Sequence, residues 1–315
     1  MSSSWRVVVL GVAQDAGWPQ VGCGAECCRD RQRKHVTSLA LVHLPAADER
    51  GVVRPEVWLF DISPDFREQH GMLLKHAREL VAAAGHTAVF QSPFFRPDQE
   101  IALRGVFLTH AHIGHYAGLL FLGKEALDAK CLPVYAAPRF AEFLHSSGPW
   151  SQLLTLGNIT LERIIPSTEA SPLFEAASLH RGAMKVGAFA APHRGEYSET
   201  LGFVVAGQLL YLPDVDHWDW DIDLLLRDHC ATVALLDGTF FSPEELPGRD
   251  IRLIPHPFVS HSLQRLASHS HKVCFTHFNH TNPLLWDPFF QSQVTSAGFS
   301  MASEFQVFSI QQTNH

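Results

Sequence analysis

The stretch Phe107-Leu108-Thr109-His110-Ala111-His112-Ile113-Gly114-His115-Tyr116-Ala117-Gly118-Leu119 decides the fold of this chain. The apolar run that ends at Leu108 predicts a strand, and the glycine-punctuated apolar segment after the last histidine predicts a helix. His110 and His112 lie two positions apart where the strand ends, so their imidazoles can turn toward one ion. His115 can face the same pocket from the first helical turn. Because neutral imidazole is a common ligand for zinc and iron, the stretch predicts a metal-binding loop between a strand and a helix.

This loop resembles the metal loop of the metallo-β-lactamase superfamily, whose usual pattern is His-x-His-x-Asp-His. The resemblance implies an α/β fold, the four-layer αββα sandwich, built from two similar halves. It also implies two adjacent metal sites, one using the first two histidines and the other using the Asp and the third histidine. This chain has Gly114 where the pattern has Asp. We therefore expect one metal to bind strongly and a second weakly or not at all, and we expect Gly114→Asp to restore the second.

The composition indicates a globular chain with one extended core. Of 315 residues, 46% are hydrophobic and 18% are charged, which is typical of a chain that buries a core. Strand and helix patterns alternate in both halves, so we predict a single domain over residues 1–315. A weak boundary is expected near Trp150, with a strand over 156–161 opening the second half.

Charge and hydropathy exclude some classes of partner. The formal net charge of −8 argues against the basic surface that nucleic-acid binding usually needs. No apolar run approaches the roughly 20 residues that cross a bilayer, and the first residues do not form a signal-peptide pattern. We therefore expect a cytoplasmic protein that acts on a small molecule, with no nucleic-acid or membrane partner. We allow for a homodimer.

Three later strand ends complete the metal centre that the resemblance implies. His193 follows a strand over 186–191, Asp214 follows a strand over 209–212, and His277 follows a strand over 272–275. The superfamily pattern assigns His110, His112 and His193 to one ion, His115 and His277 to the other, and Asp214 to both. Asp214 and His115 are the predicted catalytic residues. Asp216 is interpreted as the N-cap of a helix that begins near Trp218.

A cysteine cluster predicts a separate metal. Cys23, Cys27 and Cys28 crowd into six positions while the other three cysteines are scattered, which is a poor disulfide framework and suits a thiolate metal cluster. The chain resembles the pyrroloquinoline-quinone (PQQ) biosynthesis family PqqB and the phosphodiesterase of phosphonate breakdown. In those relatives the corresponding loop holds a structural zinc. The resemblance implies His280 as the fourth ligand, although the spacing leaves open which of Cys27 and Cys28 binds.

The remaining candidates surround the histidines. The segment from Ser63 to Arg67 resembles a Ser-Pro-Asp-x-Arg stretch of the PqqB family, which makes Asp65 and Arg67 candidates for the substrate pocket. A solvated residue at a helix start is the alternative for Asp65. Asp61 is expected to support the histidine loop. The other predicted pocket residues are Tyr197 and Glu199 beyond His193, and Asp237 and His256 in segments similar to PqqB.

Three functions stay open from the sequence. The first is a hydrolase in which zinc lowers the pKa of a bound water and Asp214 orients the resulting hydroxide. The second is an oxidative enzyme in which iron at the histidine site reacts with O₂ and a quinone precursor, as the PqqB resemblance implies. The third is a binding protein that kept the fold and lost catalysis, a hypothesis motivated by Gly114.

Overall fold

A computed structural model describes residues 2–165, 173–180 and 182–312 of the chain. Within this part, the strands form two seven-stranded sheets and one two-stranded sheet. The two large sheets pack face to face and helices flank them, so the predicted four-layer αββα sandwich is confirmed.

The first sheet contains the strands of the N-terminal half together with the last described strand. Its members are Ser4–Gly11 (β1), Ser38–Leu44 (β2), Glu56–Phe60 (β4), Leu103–Phe107 (β6), Leu132–Ala136 (β7), Ile159–Arg163 (β8) and Val307–Ile310 (β16). Their order across the sheet is β16-β1-β2-β4-β6-β7-β8. The short strands Val52–Val53 (β3) and Thr87–Ala88 (β5) pair in parallel outside this sheet.

The second sheet contains the strands of the C-terminal half. Its members are Phe174–Leu179 (β9), Met184–Ala191 (β10), Thr200–Val205 (β11), Leu209–Leu212 (β12), Val233–Asp237 (β13), Val273–Thr276 (β14) and Ser300–Met301 (β15). They are arranged in the order β15-β14-β13-β12-β11-β10-β9. Strands β12 and β13 are buried along their whole length, which explains their uninterrupted apolar sequences.

The helices lie between strands and differ widely in length. They are Phe66–Ala83 (α1), Ile113–Tyr116 (α2), Pro138–Ser146 (α3), Trp150–Thr155 (α4), Ile222–Asp228 (α5), Val259–Arg265 (α6) and Pro288–Ser296 (α7). Short 3₁₀ segments cover Ala117–Leu122, Pro243–Glu245, Ile251–Leu253, Ala267–His269 and Pro283–Leu285. None of the described helices is long and apolar enough to cross a membrane.

Aromatic side chains join the two sheets directly beneath the histidine loop. Phe60 and Phe107 of the first sheet stack with ring centroids 5.0 Å apart, and Phe203 of the second sheet lies 5.4 Å and 5.6 Å from them. Tyr211 lies 6.3 Å from Phe60. These rings are almost fully buried. They hold the two strand ends that carry the site at a fixed separation because a close-packed core resists displacement.

Parallel pairing brings the candidate residues to one edge of the sandwich. Strand β4 is parallel to β6, and β12, β13 and β14 are parallel to one another. The carboxyl ends of parallel strands meet at the same edge of a sheet. That edge carries the residues that end or follow these strands: Asp61, Thr109, His110, Asp214, Asp237 and His277.

The strand predicted over 209–212 agrees with β12, and β10 and β14 match the strands predicted over 186–191 and 272–275 to within two residues. One strand assignment was wrong. The strand predicted over 156–161 does not open the second half, because β8 pairs with β7 at the edge of the first sheet. The chain enters the second sheet at β9 instead. The prediction of a single domain stays a prediction.

Candidate metal centres

Four predicted ligands form the first cluster. His110 and His112 lie in the loop between β6 and α2, His193 follows β10, and Asp214 follows β12. His110 Nε2 lies 2.8 Å from His112 Nδ1, and His193 Nε2 lies 3.3 Å from the same atom. The carboxylate of Asp214 is 3.1 Å from His110 Nε2 and 3.3 Å from His193 Nε2. Neighbouring nitrogens in a tetrahedral zinc site are about 3.3 Å apart, so only a small opening of this cluster would admit an ion.

A second cluster shares Asp214 with the first. His115 lies in α2 and His277 follows β14, and their Nε2 atoms are both 3.6 Å from Asp214 Oδ2. The two imidazole centroids are 5.3 Å apart. The sequence-based assignment of His115, His277 and Asp214 to one position therefore corresponds to a real grouping of side chains.

In four of these histidines, Nδ1 forms a hydrogen bond with a residue outside the two clusters. The partners are Thr109 Oγ1 for His110 at 3.0 Å, Asp216 for His193 at 2.8 Å, Asp61 for His115 at 2.7 Å and Thr239 Oγ1 for His277 at 2.9 Å. When Nδ1–H donates to such an acceptor, Nε2 presents its lone pair to the cluster. Thr109, Thr239 and Asp216 were missed as supporting residues.

Asp61 lies where the sequence predicts, beneath the histidine loop. Its carboxylate accepts hydrogen bonds from the Thr109 amide at 2.8 Å, the Thr109 hydroxyl at 2.9 Å and the Tyr211 hydroxyl at 3.2 Å, in addition to His115. Asp61 is fully buried and adopts a φ of 62°. Asp tolerates this left-handed conformation better than most residues, which allows the chain to turn sharply at the end of β4.

The electrostatics of the buried atoms indicate that a cation fits. Within the described part of the chain, both oxygens of Asp214 and the Nε2 atoms of His115 and His277 are buried without a well-aligned hydrogen bond. Burial alone would raise the pKa of Asp214, but electrostatic interaction with the surrounding imidazoles of His277, His193 and His256 holds it well below its usual range. Burial lowers the pKa values of His110 and His277, which keeps these imidazoles neutral and able to bind a metal.

Asp237 and His256 lie beside Asp214, as predicted. His256 Nδ1 is 2.8 Å from Asp237 Oδ2 and 3.2 Å from Asp214 Oδ1. Burial opposes the charge of His256, yet Asp237 and Asp214 raise its pKa to about 9. Asp237 also accepts from the Val215 amide at 3.0 Å, so it fixes the backbone just after Asp214.

The rim of the site is formed by the loop that follows His193. Tyr197 is 59% exposed, and its ring lies 5.0 Å from that of Phe143. Glu199 accepts a hydrogen bond from the Arg139 amide at 3.1 Å, so it anchors the first turn of α3. Glu196, which the sequence interpretation missed, lies 3.5 Å from His112 Nε2 with half of its side chain exposed.

Two predicted pocket residues have contacts outside the two clusters. Asp65 forms an ion pair with Arg33 and accepts a hydrogen bond from the Val36 amide at 2.9 Å, so it secures the segment before β2. It directly precedes α1, in agreement with its alternative as a helix-start residue. Arg67 is exposed on α1 and lines a surface cavity with Phe121. Among the described residues, neither Asp65 nor Arg67 forms a hydrogen bond or ion pair with a histidine of the two clusters, and their placement near a substrate stays a prediction.

The interpretation of Asp216 was also wrong. No helix begins near Trp218, because the next helix is α5, which begins at Ile222 after Asp221. Asp216 instead accepts the hydrogen bond of His193 Nδ1. A carboxylate two residues after a metal-binding Asp could have been recognised as a partner for a nearby imidazole.

Gly114 has a neighbour that the sequence interpretation missed. Its amide donates to Asp15 Oδ1 at 2.8 Å. A Cβ atom at position 114 would overlap that oxygen and lie 2.7 Å from the Asp15 Cα. Gly114→Asp would therefore have to displace Asp15, and the expectation that it restores a metal ligand by itself stays a prediction.

The cysteine cluster has the dimensions of a closed zinc site. Sγ atoms of Cys23 and Cys27 are 3.9 Å apart, and those of Cys27 and Cys28 are 4.0 Å apart. His280 Nδ1 is 3.7 Å from Cys27 and 3.4 Å from Cys28. Neighbouring ligands of a tetrahedral zinc with thiolates lie about 3.5–3.8 Å apart. Both Cys27 and Cys28 fit, so all three cysteines and His280 converge on one point.

The fold and the clusters define an αββα protein with one histidine–aspartate centre and one cysteine–histidine centre, both suited to metal ions. Residues 58–278 match the family described as Beta-lactamase superfamily domain. The chain belongs to the metallo-β-lactamase superfamily.

Solved structures with the same fold agree with this assignment. Zn²⁺-bound PqqB from Methylobacterium extorquens is 20% identical, with a TM-score of 0.67 over 97% of this chain and 100% of that chain. A diphosphatase from the PhnP family is 19% identical, with a TM-score of 0.61 and 97% of each chain covered. Human tRNase Z, short form, is 16% identical, with a TM-score of 0.52 over 97% and 99% of the two chains. No protein of curated function has a significant sequence match to this chain. The predicted resemblance to PqqB-like proteins is confirmed at the level of the fold.

Proposed function

We propose that this protein is a metal-dependent hydrolase of a small molecule, with its centre at His110, His112, His193 and Asp214. The observation that carries this proposal is the buried carboxylate of Asp214, whose two oxygens lie 3.1–3.6 Å from imidazole nitrogens without a well-aligned hydrogen bond. A buried carboxylate left in this state costs several kcal/mol unless a cation compensates it.

The chemistry follows from what surrounds this centre. When zinc is bound at such a cluster, it lowers the pKa of a coordinated water to about 7 and polarises the bond to be cleaved. Asp214 is placed to accept a hydrogen bond from the attacking water and to orient it. His115, with Nδ1 fixed by Asp61, presents Nε2 on the other side of Asp214. His256 Nδ1 lies 2.8 Å from Asp237 and 3.2 Å from Asp214, so it can donate a hydrogen bond that orients these carboxylates.

Access to the centre is through the rim formed after His193. His112 is the most exposed of the four ligands, with 19% of its side chain accessible, so substrate approaches from its side. Glu196 and Tyr197 stand at this opening and are the residues we propose to contact a substrate. A cytoplasmic location, a homodimer and the absence of nucleic-acid and membrane partners stay predictions.

Zinc is the ion that we propose first, because the PqqB structure with this fold contains zinc. A second candidate function, an iron-dependent oxidation of a quinone precursor, is favoured by the donor set. Three imidazoles and one carboxylate also suit Fe²⁺ with open coordination positions.

We propose that Cys23, Cys27, Cys28 and His280 hold a second zinc with a structural role. Four protein ligands close the coordination sphere, so no position is left for substrate. Trp18 Nε1 donates to the Cys27 carbonyl at 2.8 Å, and the Gln20 amide donates to Cys28 Sγ at 3.4 Å. These contacts hold the loop in the conformation that brings the thiols together.

The test is a metal-dependent hydrolysis screen. Metal-depleted protein is reloaded with Zn²⁺ or with Fe²⁺ under anaerobic conditions and offered phosphodiesters, thioesters and lactones. The proposal expects hydrolysis of at least one class with Zn²⁺, lost on Asp214→Asn and retained on His145→Ala, an exposed histidine of α3. O₂ consumption with Fe²⁺ and no hydrolysis with either metal would favour oxidation. No retained metal at the histidine cluster would favour a binding protein without catalysis.

A further inference from the structure

The carboxylate of Asp15 occupies the space where the superfamily's Asp side chain would start. Its Oδ1 atom accepts the Gly114 amide at 2.8 Å and stands where a Cβ at position 114 would be built. Asp15 comes from the loop after β1, which is 99 positions away in sequence. The superfamily's Asp would belong to the loop before α2, whereas Asp15 belongs to the loop after β1, and the two segments meet at Gly114.

We propose that Asp15 supplies the carboxylate ligand of the second metal position, together with His115, His277 and Asp214. This inference rests on the proposed metal centre but not on the reaction that it catalyses. The position then has two imidazoles and two carboxylates, and Gly114 is the residue that leaves room for Asp15.

The turn that carries Asp15 is fixed against the strand end that carries His277. The Gln14 amide donates to the Phe278 carbonyl at 2.9 Å, and the Phe278 amide donates to the Val12 carbonyl at 2.7 Å. The Gln14 side chain also accepts a hydrogen bond from Asn279 Nδ2. These bonds fix the turn that carries Asp15 beside Phe278, the residue that follows His277.

Asp15 borders the second cluster but lies outside its tightest grouping. The ligand atoms of His115, Asp214 and His277 are all within 4.8 Å of one another, and Asp15 is not in that group, so its carboxylate would shift toward the group to bind the same ion. Among the described residues, no hydrogen bond or ion pair uses Asp15 Oδ2. That oxygen is available to a cation while Oδ1 remains bonded to Gly114.

The alternative role for Asp15 is a purely structural one, since its oxygen bonds an amide in the first turn of α2. Asp15→Asn separates the two roles. An Asn side chain keeps an oxygen that accepts from Gly114 but loses the negative charge, and an amide is a poorer ligand for a divalent cation. A structural role predicts little change, whereas a ligand role predicts loss of metal.

The experiment measures Mn²⁺ binding to metal-depleted protein by calorimetric titration. Mn²⁺ suits imidazole and carboxylate ligands, and thiolates disfavour it, so the cysteine cluster does not contribute. The parent is expected to bind two Mn²⁺ ions. Asp15→Asn is expected to bind one, with affinity for the second reduced by at least about tenfold. Glu26→Gln, which removes an exposed acidic residue from the same loop, is the matched control and should bind two.

A double variant that exchanges the residues at positions 15 and 114 provides a second, independent test. Asp15→Gly combined with Gly114→Asp moves the carboxylate to the superfamily position and removes the overlap, so the second ion should return. One Mn²⁺ in the parent, or two in Asp15→Asn with unchanged affinity, would overturn the proposal. Two ions in the parent and one in Asp15→Asn, without hydrolysis of any substrate, would support this ligand assignment while overturning the hydrolase.

Discussion

Asp61→Asn is the substitution that most directly tests how the histidine loop is held. The buried Asp61 carboxylate accepts from four donor groups at 2.7–3.2 Å, which are the Thr109 amide and hydroxyl, His115 Nδ1 and the Tyr211 hydroxyl. Asn keeps the shape of the side chain and tolerates the φ of 62°. Its NH₂ group, however, faces at least one of these donors and cannot accept a hydrogen bond from it. One unsatisfied buried donor costs about 1–3 kcal/mol of unfolding free energy. Loss of support behind a ligating imidazole costs about 10–100-fold in metal affinity.

Two measurements on the same protein separate these effects. Urea unfolding in the presence of a chelator reports the loss of stability without metal, and Mn²⁺ titration reports the loss of affinity. Tyr211→Phe is the control, because it removes only the 3.2 Å bond and should cost about 1 kcal/mol with little change in affinity. If Asp61→Asn binds metal as tightly as the parent, Asp61 does not orient His115 as we describe.

Three further outcomes follow from other parts of the structure. His280→Ala should release zinc from the cysteine cluster and keep the metal of the histidine cluster. If free zinc exceeds Kd by about a hundredfold, the loss should lower Tm by about 4 °C. Exposed Cys131→Ser should change neither, as thermal unfolding and metal analysis will show. Burial lowers the pKa of His70 to about 4, whereas in the unfolded chain His70 binds a proton near pH 6.5. The unfolding free energy should therefore be at its full value above about pH 6.5 and fall by up to about 3 kcal/mol toward pH 4. His70→Leu should remove this pH dependence. Gly118→Ala should destabilise by about 1–3 kcal/mol in denaturant unfolding, because its Cβ would overlap the Ser63 carbonyl oxygen behind the histidine loop; a parent-like midpoint would contradict this.

The ligands could be predicted from the sequence because each one ends a buried strand. His110, His193, Asp214 and His277 all come within two residues of an apolar run, and parallel strands deliver such residues to one edge. The superfamily pattern then assigned them to two positions. The grouping of side chains agrees with that assignment.

Residues that act across long sequence separations could not be predicted. Asp15 meets Gly114 only because the turn after β1 is bonded to Phe278 beside β14. One signal was present in the sequence, since a metal pattern that lacks its carboxylate calls for an acidic residue elsewhere. Asp65 shows the opposite case. It is only four positions from Asp61, but it directly precedes α1 and its side chain pairs with Arg33.

The pairing of β1 with β16 has a consequence for how the chain folds during synthesis. Trp5 pairs with Ile310 and Val8 with Val307, so the edge of β1 is covered by residues that the ribosome adds about 300 positions later. Until then, the apolar segment around Val7 presents an open sheet edge, which is the kind of surface that aggregates and that chaperones bind. A chain that stops before Val307 would keep that edge open after release, even with every residue of both metal centres present.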